Sequence, residues 1–155
     1  MVLTSVALSG CLGSDDEPDP EPEPTTTTVK IGLLSPITGP IAVYAPGFSD
    51  AANVAIAELN AANDDYVFEL VVGDSGCDGT TAGTAAQTLV SAGVAGIAGA
   101  ACSGATLGAI EVAKAAGIAM VSYASTSPAI TAHDDGGYLF RVVPSDAQQG
   151  QALAA

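Results

Sequence analysis

Basic residues are scarce in this chain of 155 residues, in which three Lys and Arg face seventeen Asp and Glu for a formal net charge of −14. Because affinity for phosphate backbones comes from clustered Lys and Arg, the composition excludes nucleic-acid binding and disfavours adsorption to anionic membrane surfaces. Histidine occurs once, at His133. With one imidazole and no CxxC spacing, the chain lacks the usual ligands of a zinc site, so we expect no metal and no cofactor.

The chain also lacks an apolar run of the about twenty residues that cross a bilayer. Its N-terminal apolar stretch, residues 2–10, has the length of a signal-peptide core and ends at Cys11. Residues 8–11 (LSGC) resemble the lipobox of bacterial and archaeal lipoproteins, in which the cysteine is lipidated, although no Lys or Arg precedes the run. We predict a signal peptide over residues 1–11 with lipidation at Cys11; an unmodified N-terminus with a free thiol is the alternative.

Residues 12–28 contain almost no apolar side chains but hold six of the seventeen acidic residues and four of the nine prolines. Such a segment cannot bury enough surface to offset the entropy of ordering, and its prolines and like charges keep it extended. We therefore predict a disordered tether over residues 12–28 and a folded domain over residues 29–155. With eleven acidic and three basic residues, that domain keeps a formal charge of −8.

Two cysteines remain in the predicted domain, Cys77 and Cys102. An even pair of cysteines in an exported domain predicts a disulfide bond. The rival interpretation is a pair of metal ligands, which the single histidine disfavours.

From residue 29 onward, short apolar runs alternate with segments of helical periodicity. The predicted strands are 29–34, 66–72, 94–98, 118–121 and 138–143, and the predicted helices are 48–62, 80–92, 105–116 and a last one capped by residues 144–146. Nearly continuous apolar strands separated by helices predict an α/β fold, an open parallel sheet flanked by helices that cover both faces. Ligands of such sheets bind beyond the carboxyl ends of the strands. The loops to consider are therefore 35–47, 73–79, 99–104 and 122–128.

Five motifs occur in these loops and strands in a fixed order: GLLSPITGPIAVYAPG, GDSGCD, GAACSGAT, ASTSPAIT and FRVVPSDAQQG. Together they make residues 29–155 resemble the first, Rossmann-like lobe of type I periplasmic binding proteins of the branched-chain amino-acid class, the receptors that feed ABC importers. Members of this class have two lobes that close over the ligand. The resemblance implies that the second lobe, with the acidic residue that completes the ammonium site, is absent from this sequence.

The resemblance also implies roles for individual residues. Ser103 matches the serine whose hydroxyl and neighbouring amides bind the ligand's carboxylate, and its predicted place at a helix N-terminus suits an anion. Thr126 matches a threonine that contacts both the carboxylate and the ammonium, and Ala124 matches a position that offers its backbone carbonyl to the ammonium. Tyr44 matches an aromatic residue in the pocket wall. Cys77 and Cys102 match the family's disulfide.

Each of these residues also has a purely structural interpretation. Ser103 would serve as a helix N-cap, Thr126 as a turn residue before Ser127 and Pro128, and Tyr44 as a packed surface aromatic. Asp74 and Asp78 resemble metal carboxylates, but beside Gly and Ser they are more simply explained as loop-forming residues. We place His133 in solvent.

The expected function is that of an exported solute receptor, lipid-anchored to the outer face of the cytoplasmic membrane. It would bind branched-chain or related amino acids by lobe closure and dock on an ABC permease, and we expect it to catalyse no reaction. One alternative is the ligand-binding ectodomain of a sensory receptor. Another is an α/β hydrolase with Ser103 as nucleophile and His133 as base, which the absence of a GxSxG elbow at Ala101–Gly104 disfavours.

Overall fold

A computed structural model describes residues 26–155 of the chain. The predicted signal peptide, Cys11 and the tether up to residue 25 lie outside the described residues. Strands and helices alternate along the chain, as the hydrophobic pattern predicts. The strands are β1 (Thr27–Ser35), β2 (Tyr66–Asp74), β3 (Val94–Ala98), β4 (Met120–Ser122) and β5 (Leu139–Arg141), and the helices are α1 (Ala45–Ala62), α2 (Gly79–Ser91), α3 (Ser103–Ala115), α4 (Pro128–Ala132) and α5 (Asp146–Leu153).

All five strands form one parallel sheet in the order β2-β1-β3-β4-β5. The predicted α/β fold class is confirmed. One boundary differs: β1 begins at Thr27, because Thr27 and Thr28 pair with Tyr66 and Val67 of β2. The last two residues assigned to the tether therefore belong to the sheet. Threonine is β-branched and favours strands, a preference that the prediction of the tether did not take into account.

One face of the sheet is fully covered by α2 and α3, and the hydrophobic core lies beneath them. The two helices approach closely through the glycines of a Gly-xxx-Gly pair in each, Gly79 and Gly83 in α2 and Gly104 and Gly108 in α3. A Cβ placed on Gly108 would lie 2.1 Å from the carbonyl oxygen of Gly79. The fully buried core residues include Leu34, Ala86, Leu89, Ala105, Ala109, Ile110 and Met120. Small side chains let the helix backbones approach closely enough to bury the larger core residues.

The opposite face of the sheet is only partly covered, which corrects the prediction that helices cover both faces. Helix α1 packs mainly on β1 and β2, with Phe48 against the Tyr123 ring after β4, and Ala45 is its one buried residue. On β3, β4 and β5 the paired residues Ala98, Val121 and Phe140 lie side by side. Val121 is 41% and Phe140 55% exposed. An apolar strip therefore runs across this face without a covering element among the described residues.

Several element ends differ from the sequence-based prediction. Helix α1 begins at Ala45 because Pro46 occupies its first turn, where its missing N–H costs nothing. Helix α4 was not predicted; it begins at Pro128, the last residue of the predicted loop 122–128, and Ser127 caps it. Strand β5 is only three residues long, shorter than the predicted run of six. The predicted cap of α5 is confirmed, since Ser145 and Gln148 form a capping box.

The substitution Gly108→Ala should destabilise the fold, because its methyl group would collide with the Gly79 backbone and force α2 and α3 apart. We expect a loss of about 1–3 kcal/mol in the free energy of unfolding, measured by chemical denaturation. Gly104→Ala in the same helix is the control, since its Cβ meets no atom within 4 Å. Equal stabilities of the two variants would contradict the close helix packing.

Candidate functional site

The loops at the carboxyl ends of β1 and β2 are joined through Asp74. Its carboxylate accepts hydrogen bonds from the Thr38 hydroxyl at 2.6 Å and the Thr38 amide at 3.1 Å, and from the Gly76 amide at 2.8 Å. Partial desolvation acts to raise the pKa of Asp74, but these hydrogen bonds together outweigh it and hold the pKa below its ordinary value. Asp74 is thus a loop-forming residue, as is Asp78, whose carboxylate caps α2.

The next pair of loops, after β2 and β3, is joined by a disulfide bond between Cys77 and Cys102, with Cα atoms 5.2 Å apart. The predicted pairing is present in the structure. Because Cys102 directly precedes Ser103, the bond fixes the start of α3 against the loop that follows β2.

The loops after β3 and β4 are joined by buried hydroxyl groups around Ala100. Ser122 and Ser125 donate to the Ala100 carbonyl at 2.7 and 3.1 Å. The Ala100 amide donates to the Thr106 hydroxyl at 3.1 Å, and that hydroxyl lies 2.8 Å from the Ser125 hydroxyl. All three hydroxyl residues are fully buried. We call Ala100 with Thr106, Ser122 and Ser125 the hydroxyl cluster.

Ser103 is the first residue of α3, so it is not the N-cap. Cys102 occupies the cap position and its side chain makes no capping hydrogen bond. Among residues 26–155, the backbone amides of Ser103 and Gly104 have no hydrogen-bond acceptor. The Ser103 hydroxyl accepts from the Ser127 amide at 3.2 Å, which leaves its own proton to donate. Free amides and a hydroxyl at a helix N-terminus form a cradle for an anion.

The site loop, residues 124–127, lies beside this cradle and has one carbonyl without a hydrogen-bond donor. Arg141 donates to the carbonyls of Ser125 and Ser127, at 3.3 and 2.9 Å. The Thr126 carbonyl accepts from the Asp146 amide at 2.8 Å. Within the described part of the chain, no donor reaches the carbonyl of Ala124 and no acceptor reaches the amide of Thr126. The site loop therefore presents one acceptor and one donor without partners.

The Thr126 hydroxyl donates to the Asp146 carboxylate at 3.1 Å. With its proton used in this way, the hydroxyl oxygen keeps its lone pairs for a cationic or other donor group. Asp146 lies in the first turn of α5, and the motif analysis did not assign it a role. Its position one residue after the Ser145 cap was the available signal.

Among the residues that the structure describes, no hydrogen bond joins the remaining candidates, Tyr44 and His133, to the cradle. Tyr44 ends a short 3₁₀ turn after β1, is 61% exposed, and no hydrogen bond joins it to Ser103 or Thr126. The His133 ring is half-buried and lies 2.8 Å from a Glu111 carboxylate oxygen, so the prediction that it lies in solvent holds only in part. Over residues 26–155 the structure contains no cluster of three or more metal-ligating side chains.

No helix within the described range is both long enough and apolar enough to cross a membrane.

The domain is thus an α/β domain with a five-stranded parallel sheet, and unpaired amides, hydroxyls and a carbonyl lie at the carboxyl ends of its strands. A sequence profile described as periplasmic binding protein matches residues 28–155. The chain belongs to the periplasmic binding protein family. The family membership predicted from the five loop motifs is thus confirmed.

Curated relatives and solved structures agree with this assignment. The chain is 34% identical to a leucine-, isoleucine-, valine-, threonine- and alanine-binding protein of Pseudomonas aeruginosa over 79% of this chain and 33% of that protein. It is 29% identical to the Leu/Ile/Val-binding protein of Escherichia coli, over 81% and 35% of the two chains. A branched-chain amino acid transporter substrate binding protein from Streptococcus pneumoniae, solved with isoleucine, superposes with a TM-score of 0.71 at 31% identity, covering 78% and 35%. The chain spans about a third of the length of these proteins.

Replacing Thr38 by Val should raise the pKa of Asp74 towards its ordinary value near 3.8, because the strongest of its hydrogen-bond donors is lost. A carboxyl whose pKa is lowered by folding stabilises the native state above the unfolded-state pKa, and that stability is lost as the pH falls through the folded-state pKa. In the variant this contribution is smaller and disappears at a higher pH. Carboxyl NMR titration measures the pKa, with Thr84→Val, whose hydroxyl bonds only the Thr80 carbonyl, as control. An unchanged Asp74 pKa would contradict the assigned bridge.

Replacing Thr106 by Val preserves the side-chain shape but leaves the buried Ala100 amide without its acceptor. We expect the free energy of unfolding to fall by about 1–3 kcal/mol in chemical denaturation. Thr88→Val is the matched control, because that exposed hydroxyl bonds only the Thr84 carbonyl of its own helix, and its effect should stay within about 0.5 kcal/mol. Two equally stable variants would show that the hydroxyl cluster contributes nothing.

Proposed function

We propose that this domain is the first lobe of an extracytoplasmic solute receptor for branched-chain or related amino acids. The observation that carries the proposal is the set of unpaired groups at one edge of the sheet. The free amides of Ser103, Gly104 and Thr126 and the Ser103 hydroxyl can donate to a carboxylate. The free carbonyl of Ala124 and the lone pairs of the Thr126 hydroxyl can accept from an ammonium group.

This arrangement suits a zwitterion. Dipolar groups at the start of α3 stabilise the negative end of the ligand without a full opposite charge, as helix N-termini do for anions. The positive end would contact neutral oxygens, with the Asp146 carboxylate one hydrogen bond further away through Thr126. Tyr44, exposed on the loop after β1, would form part of the pocket wall around the ligand side chain.

The relatives support a small amino acid as the ligand class. The two curated relatives described above are named for binding leucine, isoleucine and valine, and one of them also for threonine and alanine. One structural neighbour contains isoleucine. A neighbour from Rhodopseudomonas palustris, 26% identical with a TM-score of 0.68, contains 3,4-dihydroxybenzoic acid. The shared feature of these ligands is a carboxylate, to which the free amides and the hydroxyl at the start of α3 can donate.

Binding would require a second lobe. The edge that holds Ser103 and Thr126 is open, so the ligand's remaining surface would be enclosed only when another lobe closes over it. Closure would exclude water and strengthen the hydrogen bonds of the cradle. The exposed apolar strip of Ala98, Val121 and Phe140 would be covered by segments that return from that lobe to this sheet.

The predicted cellular setting remains part of the proposal. A lipid at Cys11 and the acidic segment after it would hold the receptor at the outer face of the cytoplasmic membrane, where the closed form would dock on an ABC permease. The Cys77–Cys102 disulfide agrees with an oxidising compartment outside the cytosol.

A hydrolase with Ser103 as nucleophile is less well supported. A serine nucleophile needs a base within hydrogen-bond reach. The recorded partner of the Ser103 hydroxyl is the Ser127 amide, a donor that cannot take its proton. The imidazole of His133 instead pairs with Glu111. The ectodomain of a sensory receptor would use the same cradle, and it would be distinguished by an adjoining transmembrane segment in place of the lipid.

Isothermal titration calorimetry of the two-lobed protein with a panel of amino acids tests the proposal. Ser103→Ala should weaken the binding of a branched-chain amino acid by about 1–3 kcal/mol, because a buried carboxylate oxygen loses its donor. Ser91→Ala, whose hydroxyl bonds the Gln87 carbonyl on α2, should bind as the parent does. Failure of the parent to bind any amino acid would refute the receptor assignment. Equal affinity of the Ser103 variant would remove Ser103 from the site, and ester turnover that depends on Ser103 would favour the hydrolase.

A further inference from the structure

Arg141 is a cation without a carboxylate partner. Among residues 26–155, no Asp or Glu oxygen lies within ion-pair distance of its guanidinium group. The group is half-buried, and its contacts are backbone carbonyls and one hydroxyl. Nη1 donates to the carbonyls of Ser125 and Ser127, and Nη2 donates to the Thr131 hydroxyl of α4. In a domain with only three basic residues and an excess of acids, this use of the charge requires an explanation.

The two carbonyls that Arg141 binds flank Thr126 on either side. Both are turned towards the guanidinium, so neither is available to a ligand. The carbonyl of Thr126 is held by the Asp146 amide. Three of the four carbonyls of the site loop are therefore engaged by β5 and α5, and the carbonyl of Ala124 is the one left free.

The opposite side of the same loop is fixed by the hydroxyl cluster. Ser125 is bound through its side chain to the Ala100 carbonyl, and the Ser127 amide donates to the Ser103 hydroxyl. The loop is thus held between the start of α3 on one side and Arg141 on the other. Removing Arg141 would leave the Ser125 carbonyl without a partner and the Ser127 carbonyl with only the Ile130 amide, at 3.2 Å. The Ser125 carbonyl would then be free to rotate and compete for any donor nearby.

We propose that Arg141 is a positioning residue for ammonium recognition: by binding the carbonyls of Ser125 and Ser127, it leaves the Ala124 carbonyl and the Thr126 hydroxyl as the acceptors presented to the ligand. The inference rests on the proposed function and adds to it a residue that does not touch the ligand. A guanidinium is suited to this task because its planar fork holds several acceptors in fixed directions, whereas a lysine ammonium acts as a point charge.

The test compares two probes that differ only in the ammonium group, L-leucine and 4-methylpentanoate, on the two-lobed protein. The measured quantity is the dissociation constant of 4-methylpentanoate divided by that of L-leucine. Arg141→Ala should lower this ratio by about tenfold or more, mainly by weakening leucine, because the acceptors for the ammonium lose their orientation. Binding of the carboxylate alone should change by no more than about threefold. Millimolar guanidinium ion should restore part of the leucine affinity in the variant and have no such effect on the parent.

Lys30→Ala is the matched control. The Lys30 ammonium also donates to a backbone carbonyl, that of Ala92 at 3.1 Å, but at the opposite end of the sheet. Its removal should leave the ratio unchanged even if it lowers stability. Should Arg141→Ala fail to fold, Arg141→Lys keeps the charge and the aliphatic stem while removing the fork, and the ratio should still fall.

A readout without ligand separates this inference from the proposed function. In the unliganded protein, amide hydrogen exchange of Ser127 should speed up by about tenfold or more in the Arg141 variant, because the loop loses both of its hydrogen bonds to β5. Binding of leucine by the parent, with an unchanged ratio and unchanged exchange in the variant, would overturn the role of Arg141 while leaving the receptor assignment intact. If exchange is faster in the variant but the parent binds no amino acid, the receptor assignment is refuted instead, and with it the ligand role of Arg141.

Discussion

The backbone of Ala100, with its amide and its carbonyl, is the feature on which the candidate site depends. It lies beyond β3 in the middle of the sheet, where a buried carbonyl and amide need hydrogen-bond partners because no water reaches them. The chain supplies those partners as hydroxyls from α3 and from the segment after β4. The hydrogen bonds to the Ala100 amide and carbonyl thereby fix the start of α3 and the site loop relative to each other. These two segments carry the proposed ligand contacts.

The other loops at this edge are connected in the same pairwise manner. Asp74 joins the first loop to the second, a disulfide joins the second to the third, and Arg141 joins the fourth to β5. The disulfide passes over β1, which lies between β2 and β3, and the other connections span neighbouring strands. The edge is therefore a continuous series of short links. A site formed from backbone amides and carbonyls needs this rigidity, because such groups recognise a ligand only when their directions are fixed before it arrives.

The two faces of the sheet contrast with each other. Beneath α2 and α3 the core is closed by glycine and alanine contacts that bring the helices together. On the other face Val121 and Phe140 are exposed beside the half-buried Ala98. A contiguous apolar surface of this kind is normally an interaction site. The strip is consistent with the match to relatives about three times as long, in which further chain is available to cover it.

Local sequence determined the strands and helices and the loops that lie at the carboxyl ends of the strands. Apolar runs and helical spacing predicted the five strands and four of the five helices, because those patterns reflect burial that each segment carries in its own side chains. The loop motifs likewise predicted Ser103, Ala124 and Thr126, and the structure brings these residues to one edge of the sheet.

Tertiary structure alone decided which polar groups remain free. No local pattern reveals that Arg141 and the Asp146 amide occupy three carbonyls of the site loop, or that Cys102 rather than Ser103 caps α3. Nor did the composition show that one face of the sheet is only partly covered by helices. Hydrogen-bond partners and burial depend on segments far apart in the chain, and their positions are fixed only when the strands assemble.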